Sequence, residues 1–244
     1  MGKDYSKDKG LAGIVLYTSE YAPAAKFYEK DGFKLSNGTI CMYCEYIYSE
    51  KKDGYLQNIG YLGEQLDLYL VSRNIGTLWF GIGKTKEEPF EDMEFVIMFS
   101  IRKISDDSKY RKDMFKSKRK NTEEIWEGEQ ISGVTDIIRF APSACNSQPW
   151  LVKNDGKLWV YRYKKPGKRG IMPADKVLFY NRIDIGIFIC FMDLCLEHNG
   201  IGFEKTLYSD ADDVELVLNA KYRLCRGLRF SDIESLIKGS LKMT

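Results

Sequence analysis

The stretch RFAPSACNSQPW, residues 139–150, decides how the chain reads. Pro142 biases Ala141 away from helical geometry and stops the regular segment before it. Ser143, Ala144 and Cys145 are small, so the backbone there can approach a ligand closely. Asn146 and Gln148 add amide groups that both donate and accept. Pro149 and Trp150 then lead into a strand. A small-residue loop with amides, held between a helix and a strand, suits a flat, polar, phosphorylated ligand.

The sequence on either side supplies the frame. TEEIWEGEQISGVTDIIRF (122–140) reads as helical with a break near Gly133. LVKNDGKLWVYRYK (151–164) is a hairpin, because Asp155-Gly156 is a turn signal between two alternating runs. RIDIGIFICFMDLCLEHNG (182–200) is a long apolar helix ending in Asn-Gly, with strands expected over GFEKTL (202–207) and VELVLNAKY (214–222). FSDIESLIKGSL (230–241) reads as a short amphipathic helix with Ser231 or Asp232 as its N-cap.

The first half has a similar plan. A strand and a helix around Pro23–Lys30 precede TICMYCEYIYSE (39–50), whose β-branched and aromatic residues favour a strand. GYLGEQLDLYLVSRNIG (60–76) has apolar residues at helical spacing. TLWFGIGK (77–84) and EFVIMFSIRK (94–103) follow as strands. Each half therefore has a long helix ending near Asn and Gly, then strand-like sequence, which suggests an internal duplication. The halves run about 10–120 and 121–222, with a tail over 223–244, inside a single domain spanning 1–244.

Composition excludes several classes. The chain has 244 residues, 44% of them hydrophobic, and a net charge of +2. Disorder needs low hydrophobicity and high net charge, and a near-neutral chain has no global pull toward nucleic acid. The most apolar stretch, 183–196, is too short to span a bilayer and carries Asp184 and Asp193. The N-terminus lacks the apolar core of a signal peptide. Six cysteines scattered in mostly apolar contexts agree with a reducing, cytoplasmic setting. Cys41-x-x-Cys44 has no second pair, and positions i and i+3 of a strand face opposite sides, so no metal is expected there. The one histidine, His198, sits at a helix C-terminus, where a cation suits the dipole. KYRKDMFKSKRK (109–120) holds seven Lys/Arg in twelve residues. It reads as a solvated loop, a nucleic-acid contact or a clamp on one phosphate.

APSACNSQPW (141–150) resembles the flavin-binding segment of the FMN-dependent nitroreductase family. GYLGEQLDLYLVSRNIGTLWFG (60–81) is similar to that family's long central helix and the Gly-x-x-Trp-x-Gly turn after it. KSKRK (116–120) falls where the family has a Lys/Arg pair near the FMN phosphate, and RIDIGI (182–187) also matches. The order of segments resembles a smaller branch in which the parts are rearranged and one chain mimics two subunits. The resemblance implies an α+β fold: a mixed, mostly antiparallel sheet flanked by helices, in two similar halves. It implies FMN as cofactor, NADH or NADPH as reductant, and a nitroaromatic, quinone or similar small acceptor.

By the same resemblance, Pro142, Ser143, Ala144 and Asn146 contact the ring edge and ribityl chain, and Gln148 supports the loop. The backbone at Trp79, Phe80 and Gly81 lies near the isoalloxazine, and Lys116 and Lys118 hold the phosphate. The flavin carries the chemistry, so no catalytic side chain, metal, nucleic acid or membrane partner is implied. The protein is either a monomer mimicking a dimer or a homodimer. The family's opening Arg-x-Ser-x-Arg has no match in residues 1–35. The alternative is therefore a non-catalytic or degenerate FMN-binding relative. A third reading is an anion- or nucleic-acid-binding protein acting through 109–120.

Overall fold

The computed structural model describes residues 15–19, 43–73, 75–81, 92–103, 118–165, 170, 172–208 and 214–225. The helix expected around 23–30, Cys41, Lys116 and the helix over 230–241 lie outside the described residues.

Two hairpin–helix–hairpin units follow one another. The first contains β1 (Val15–Ser19), β2 (Tyr43–Ser49), α1 (Tyr55–Ser72), β3 (Ile75–Phe80) and β4 (Glu94–Lys103). The second contains β6 (Trp150–Asn154), β7 (Leu158–Tyr163), α4 (Val177–His198), β8 (Gly202–Leu207) and β9 (Leu216–Cys225). Between them run α2 (Thr122–Ile125), β5 (Trp126–Gly128), α3 (Thr135–Ile138) and a 3-10 turn at Ala144–Asn146. The sheet orders are β1-β2-β4-β3 and β5-β6-β7-β9-β8. The second is the first pattern with β5 added at one edge. Among the described strands every pairing is antiparallel except β5 beside β6. The fold is thus α+β, with two mostly antiparallel sheets rather than one.

The repeat extends to detail. β2 slips its register on β4 between Ile47 and Tyr48, and β7 slips on β9 between Val160 and Tyr161. Those two sites correspond, because Ile47 faces Ile97 and Val160 faces Ala220 at matching points of the two ladders. A shift of 126 positions, Ile59 to Ile185, lays residues 59–80 on 185–206 with seven identities in 22 positions. The identities are Ile59/Ile185, Gly60/Gly186, Asp67/Asp193, Leu68/Leu194, Leu70/Leu196, Ile75/Ile201 and Gly76/Gly202.

The two glycines show why the repeat matters. A Cβ on Gly60 would lie 1.9 Å from the Ile183 carbonyl oxygen, and a Cβ on Gly186 would lie 1.9 Å from that of Gln57. The helices therefore touch backbone to backbone at two equivalent points, and no larger residue fits either one. Around this crossing one core joins both sheets, with Ile47, Ile97 and Phe99 on one side and Val152, Val160 and Ala220 on the other. Each of the buried Val, Ile and Phe side chains among these contributes about 1.5–3 kcal/mol.

Three expectations need correction. Residues 122–140 are not one interrupted helix. Asn121 and Glu124 close a capping box on a four-residue helix, and the chain then extends. Trp126 is buried and pairs with Val152, so tertiary pairing overrides the local helical pattern. The first long helix runs 55–72 rather than 60–76, because Arg73 closes it onto the Leu70 and Val71 carbonyls. Gly76 is consequently a strand residue, facing Arg102 across the β3–β4 ladder. The second helix starts at Val177, five residues before its expected start.

Candidate functional site

The 141–149 loop is tightly wound. Cys145, Asn146 and Gln148 take φ of 51°, 54° and 48°. Left-handed backbone at a residue other than glycine costs roughly 1–3 kcal/mol and persists only where neighbours impose it. The strongest such neighbour is Asp184, on the second turn of α4. Its Oδ1 accepts the Ala144 N–H at 2.9 Å, and its Oδ2 accepts the Ser147 hydroxyl at 3.2 Å. Within the loop, Ser143 Oγ accepts the Gln148 N–H at 3.0 Å.

The basic segment is stitched onto the other side of this loop. Gln148 Oε1 accepts the Lys120 N–H at 2.7 Å, and Lys120 Nζ donates to the Gln148 carbonyl at 2.9 Å. Asn146 Nδ2 donates to the Lys118 carbonyl at 2.7 Å, while its Oδ1 accepts from Arg119. Arg119 also donates to the Phe140 carbonyl at 3.2 Å. The two loop amides thus fasten residues 118–120 in place. Lys118 itself is exposed, half-buried Pro142, Ser143 and Ala144 line the loop, and Lys116 lies outside the described residues.

The Trp79-Phe80-Gly81 segment comes from the other unit. Among the described residues β3 is one of the two edge strands of its sheet. The Trp79 indole packs inward. It lies on Gly63, where a Cβ would be 2.5 Å from the ring, and its centroid is 4.2 Å from that of Phe99. Its Nε1 donates to Glu64 at 3.1 Å. Phe80 packs on the Tyr46, Tyr48 and Met98 cluster. Gly81 ends the strand, and its carbonyl accepts the Tyr180 hydroxyl. A Cβ there would sit 2.8 Å from the Tyr180 ring, so a larger residue displaces that ring.

The start of α4 therefore touches both segments: Tyr180 holds Gly81, and Asp184, one turn later, holds the loop. The Tyr180 hydroxyl titrates above its usual range through burial, with the nearby Cys145 sulfur adding to the effect. Burial pushes Asp184 up to about 7, against the opposing hydrogen bonds from Ala144 and Ser147. Glu64 is pushed up to about 8 by burial and by Asp67, against the Trp79 hydrogen bond. Asp67 is raised by burial and opposed by hydrogen bonds from Thr77 and Trp79.

The profile of the family described as "Putative TM nitroreductase" matches residues 22–195. The chain belongs to this nitroreductase family. A crystal structure of a "putative nitroreductase" from Thermotoga maritima is similar over 84% of each chain, with 17% identity and a TM-score of 0.47. No curated protein matches the chain. Membership in the nitroreductase family gives the oxidoreductase class. No helix among the described residues is long and apolar enough to cross a membrane, and no group of three or more His, Cys, Asp or Glu among them could hold a metal ion.

Sequence reasoning missed Asp184 and Tyr180 as parts of this site, whereas Arg119 lay within KSKRK, the segment expected near a phosphate. The signal for Asp184 was present: a carboxylate inside an apolar helix must find partners when it is buried. Tyr180 carried no such signal, because its partner is a backbone carbonyl 99 residues away.

Proposed function

We propose that this nitroreductase-family chain is an FMN-dependent oxidoreductase. In this reading NADH or NADPH is the reductant, and a nitroaromatic, quinone or similar small molecule is the acceptor. The observation that carries the reading is the joint at the start of α4. It brings the loop 142–148 of one unit beside the Gly81 end of β3 from the other, and these are the two segments that resemble the family's flavin-binding parts. The donor set suits the cofactor: Lys118, Arg119 and Lys120 place cations beside the loop for a phosphate. Ser143 and Ala144 allow close backbone approach, and the backbone at the Gly81 end of β3 lies next to a ring. When bound, FMN accepts a hydride from the nicotinamide and passes the electrons to the acceptor.

The chain's own residues bind and orient. Pro142, Ser143 and Ala144 face the ring edge and ribityl chain, while Asn146 and Gln148 keep the basic segment in register with them. Lys118, with Lys116, neutralises the phosphate. A peptide N–H of the 79–81 edge, aimed at a ring nitrogen, favours the electron-rich state of the ring as a preorganised dipole. No side chain has to exchange a proton for the net reaction. The protein works in the cytoplasm and as one chain, with the two units standing in for two subunits.

Purified protein incubated with FMN and desalted should keep a flavin absorption band, and adding NADH or NADPH without oxygen should bleach it. Colourless protein after that treatment overturns the reading. A second reading starts from the sequence: the family's opening Arg-x-Ser-x-Arg has no match in residues 1–35. A retained band that neither nucleotide bleaches marks the chain as a non-catalytic FMN-binding relative.

A further inference from the structure

The internal repeat maps the candidate site onto a second place in the molecule. Under the 126-position shift, Gly63 corresponds to Ile189, Trp79 to Lys205 and Gly81 to Leu207. At that second place there is a pocket of about 380 Å³, formed where α1 begins and β8 ends. Among the described residues β8, like β3, is an edge strand of its sheet. Ile189, Lys205 and Leu207 all line the pocket, together with Gln57, Asn58 and Tyr61. The exchanges are coupled. Gly63 makes room for the Trp79 ring, whereas in the second unit the wider Ile189 goes with the slimmer stem of Lys205. The second copy has lost the residues that match Trp79 and Gly81.

Its polar lining combines the donors of Lys205 and Gln57 with one exposed carboxylate, Asp53. Buried Asp193 accepts the Tyr61 hydroxyl at 2.7 Å and the Tyr222 hydroxyl at 2.6 Å, and also pairs with Lys205. This carboxylate is fully engaged and holds the Lys205 ammonium 4.5 Å over the Tyr61 ring. An ammonium has three N–H groups, so one ion pair leaves donor capacity toward the pocket. Gln57 Oε1 accepts from Asn219 Nδ2 at 2.9 Å, which leaves the Gln57 NH₂ as its open group. Ile189 is buried at the base, and Leu207, 53% exposed, stands at the mouth. Aliphatic walls, the Tyr61 and Tyr208 rings and the Lys205 and Gln57 donors, with the exposed Asp53 carboxylate also in the lining, suit a flat apolar body with one anionic end.

We propose that this pocket is a second small-molecule site, for a planar aromatic carrying a single carboxylate or similar anionic group. Lys205 and Gln57 take the anion, and Tyr61, Ile189 and Leu207 take the ring. The site is separate from the candidate flavin site and does not depend on flavin binding there.

The test is isothermal titration of the full, flavin-free chain with 2-naphthoate, and with 2-naphthamide as the neutral counterpart. Saturable one-to-one binding of the naphthoate is expected, with a Kd on the order of 1 mM or tighter for so small a ligand. The amide should bind at least about tenfold more weakly, as loss of one charge-assisted contact requires. Asn58→Trp, at an exposed position of α1, fills the pocket and should abolish binding while leaving FMN titration unchanged. Leu207→Trp, at the exposed mouth, is the second filling variant if the first does not fold. Lys205→Met should weaken naphthoate about tenfold and leave the amide unaffected. No saturable binding up to about 10 mM, equal binding of acid and amide, or full binding to a folded filling variant overturns the proposal. So does competition by FMN, which would place naphthoate in the other site.

Discussion

Asp184→Asn probes the joint on which the site rests. The Asp184 carboxyl is 2% exposed and lies about 3 pH units above its ordinary value, raised from 3.8 to about 7 by burial. An acid whose pKa is raised on folding binds more protons folded than unfolded across that interval. Its contribution to stability is therefore complete below pH 3.8 and is lost as pH rises toward 7. Each unit is worth about 1.36 kcal/mol, so between pH 5 and pH 8 the wild type should lose about 3 kcal/mol through this group alone. Asparagine imitates the protonated acid: its oxygen can accept from Ala144 and its NH₂ can donate to Ser147 Oγ. The variant should thus exceed the wild type by about 1–2 kcal/mol at pH 5 and by about 4 kcal/mol at pH 8. Asp184→Ala, which leaves the Ala144 N–H and the Ser147 hydroxyl unpaired, should cost about 2–5 kcal/mol at either pH. Urea unfolding followed by tryptophan fluorescence at several pH values gives all three numbers. A stability difference between the wild type and the Asp184→Asn variant that stays flat within about 0.5 kcal/mol from pH 5 to 8 refutes the reasoning.

Glu64→Gln should act in the same sense over a higher interval, since burial holds Glu64 near 8: its stability gain over wild type should still grow between pH 7 and 8, as read by thermal melts. Gly60→Ala and Gly186→Ala each force a Cβ to within 1.9 Å of a carbonyl oxygen, so both should lose at least about 3 kcal/mol or fail to fold, and by similar amounts. A harmless alanine at either position, seen by calorimetry, contradicts the backbone contact between the helices. Tyr180→Phe releases the Gly81 carbonyl and should cost about 1 kcal/mol of stability while weakening FMN binding by several-fold; unchanged FMN affinity in a titration detaches Tyr180 from the site. The double variant Lys118→Met/Lys120→Met should lower FMN affinity about tenfold or more and flatten its dependence on salt concentration.

Much of the fold was legible because its periodicities are local. Glu94–Lys103 reads as a buried strand and forms one with the same bounds. The Asp155-Gly156 turn pairs Trp150–Asn154 with Leu158–Tyr163 as expected. The long helices were legible by type, but their ends depended on interactions the local pattern does not carry. Trp126–Gly128 was misread because its strand state comes from pairing with β6, which local propensity does not encode. The repeat was visible as Asn and Gly after each helix, yet its basis lies in Gly60 and Gly186, whose role appears only when the helices meet. In the site, the loop 141–150 announced itself through proline, small residues and amides. That those amides would hold Lys118, Arg119 and Lys120 could not be read, because hydrogen bonds between segments some 28 residues apart leave no periodic trace.

The central claim is one flavin per chain, bound where the two units meet. Quenching of flavin fluorescence on titrating FMN with flavin-free protein measures it directly. The account predicts saturation at one FMN per chain, with binding lost when Gly81→Val blocks the end of β3 in a folded variant. No quenching, two equivalents per chain, or full binding to the Gly81→Val protein would contradict it.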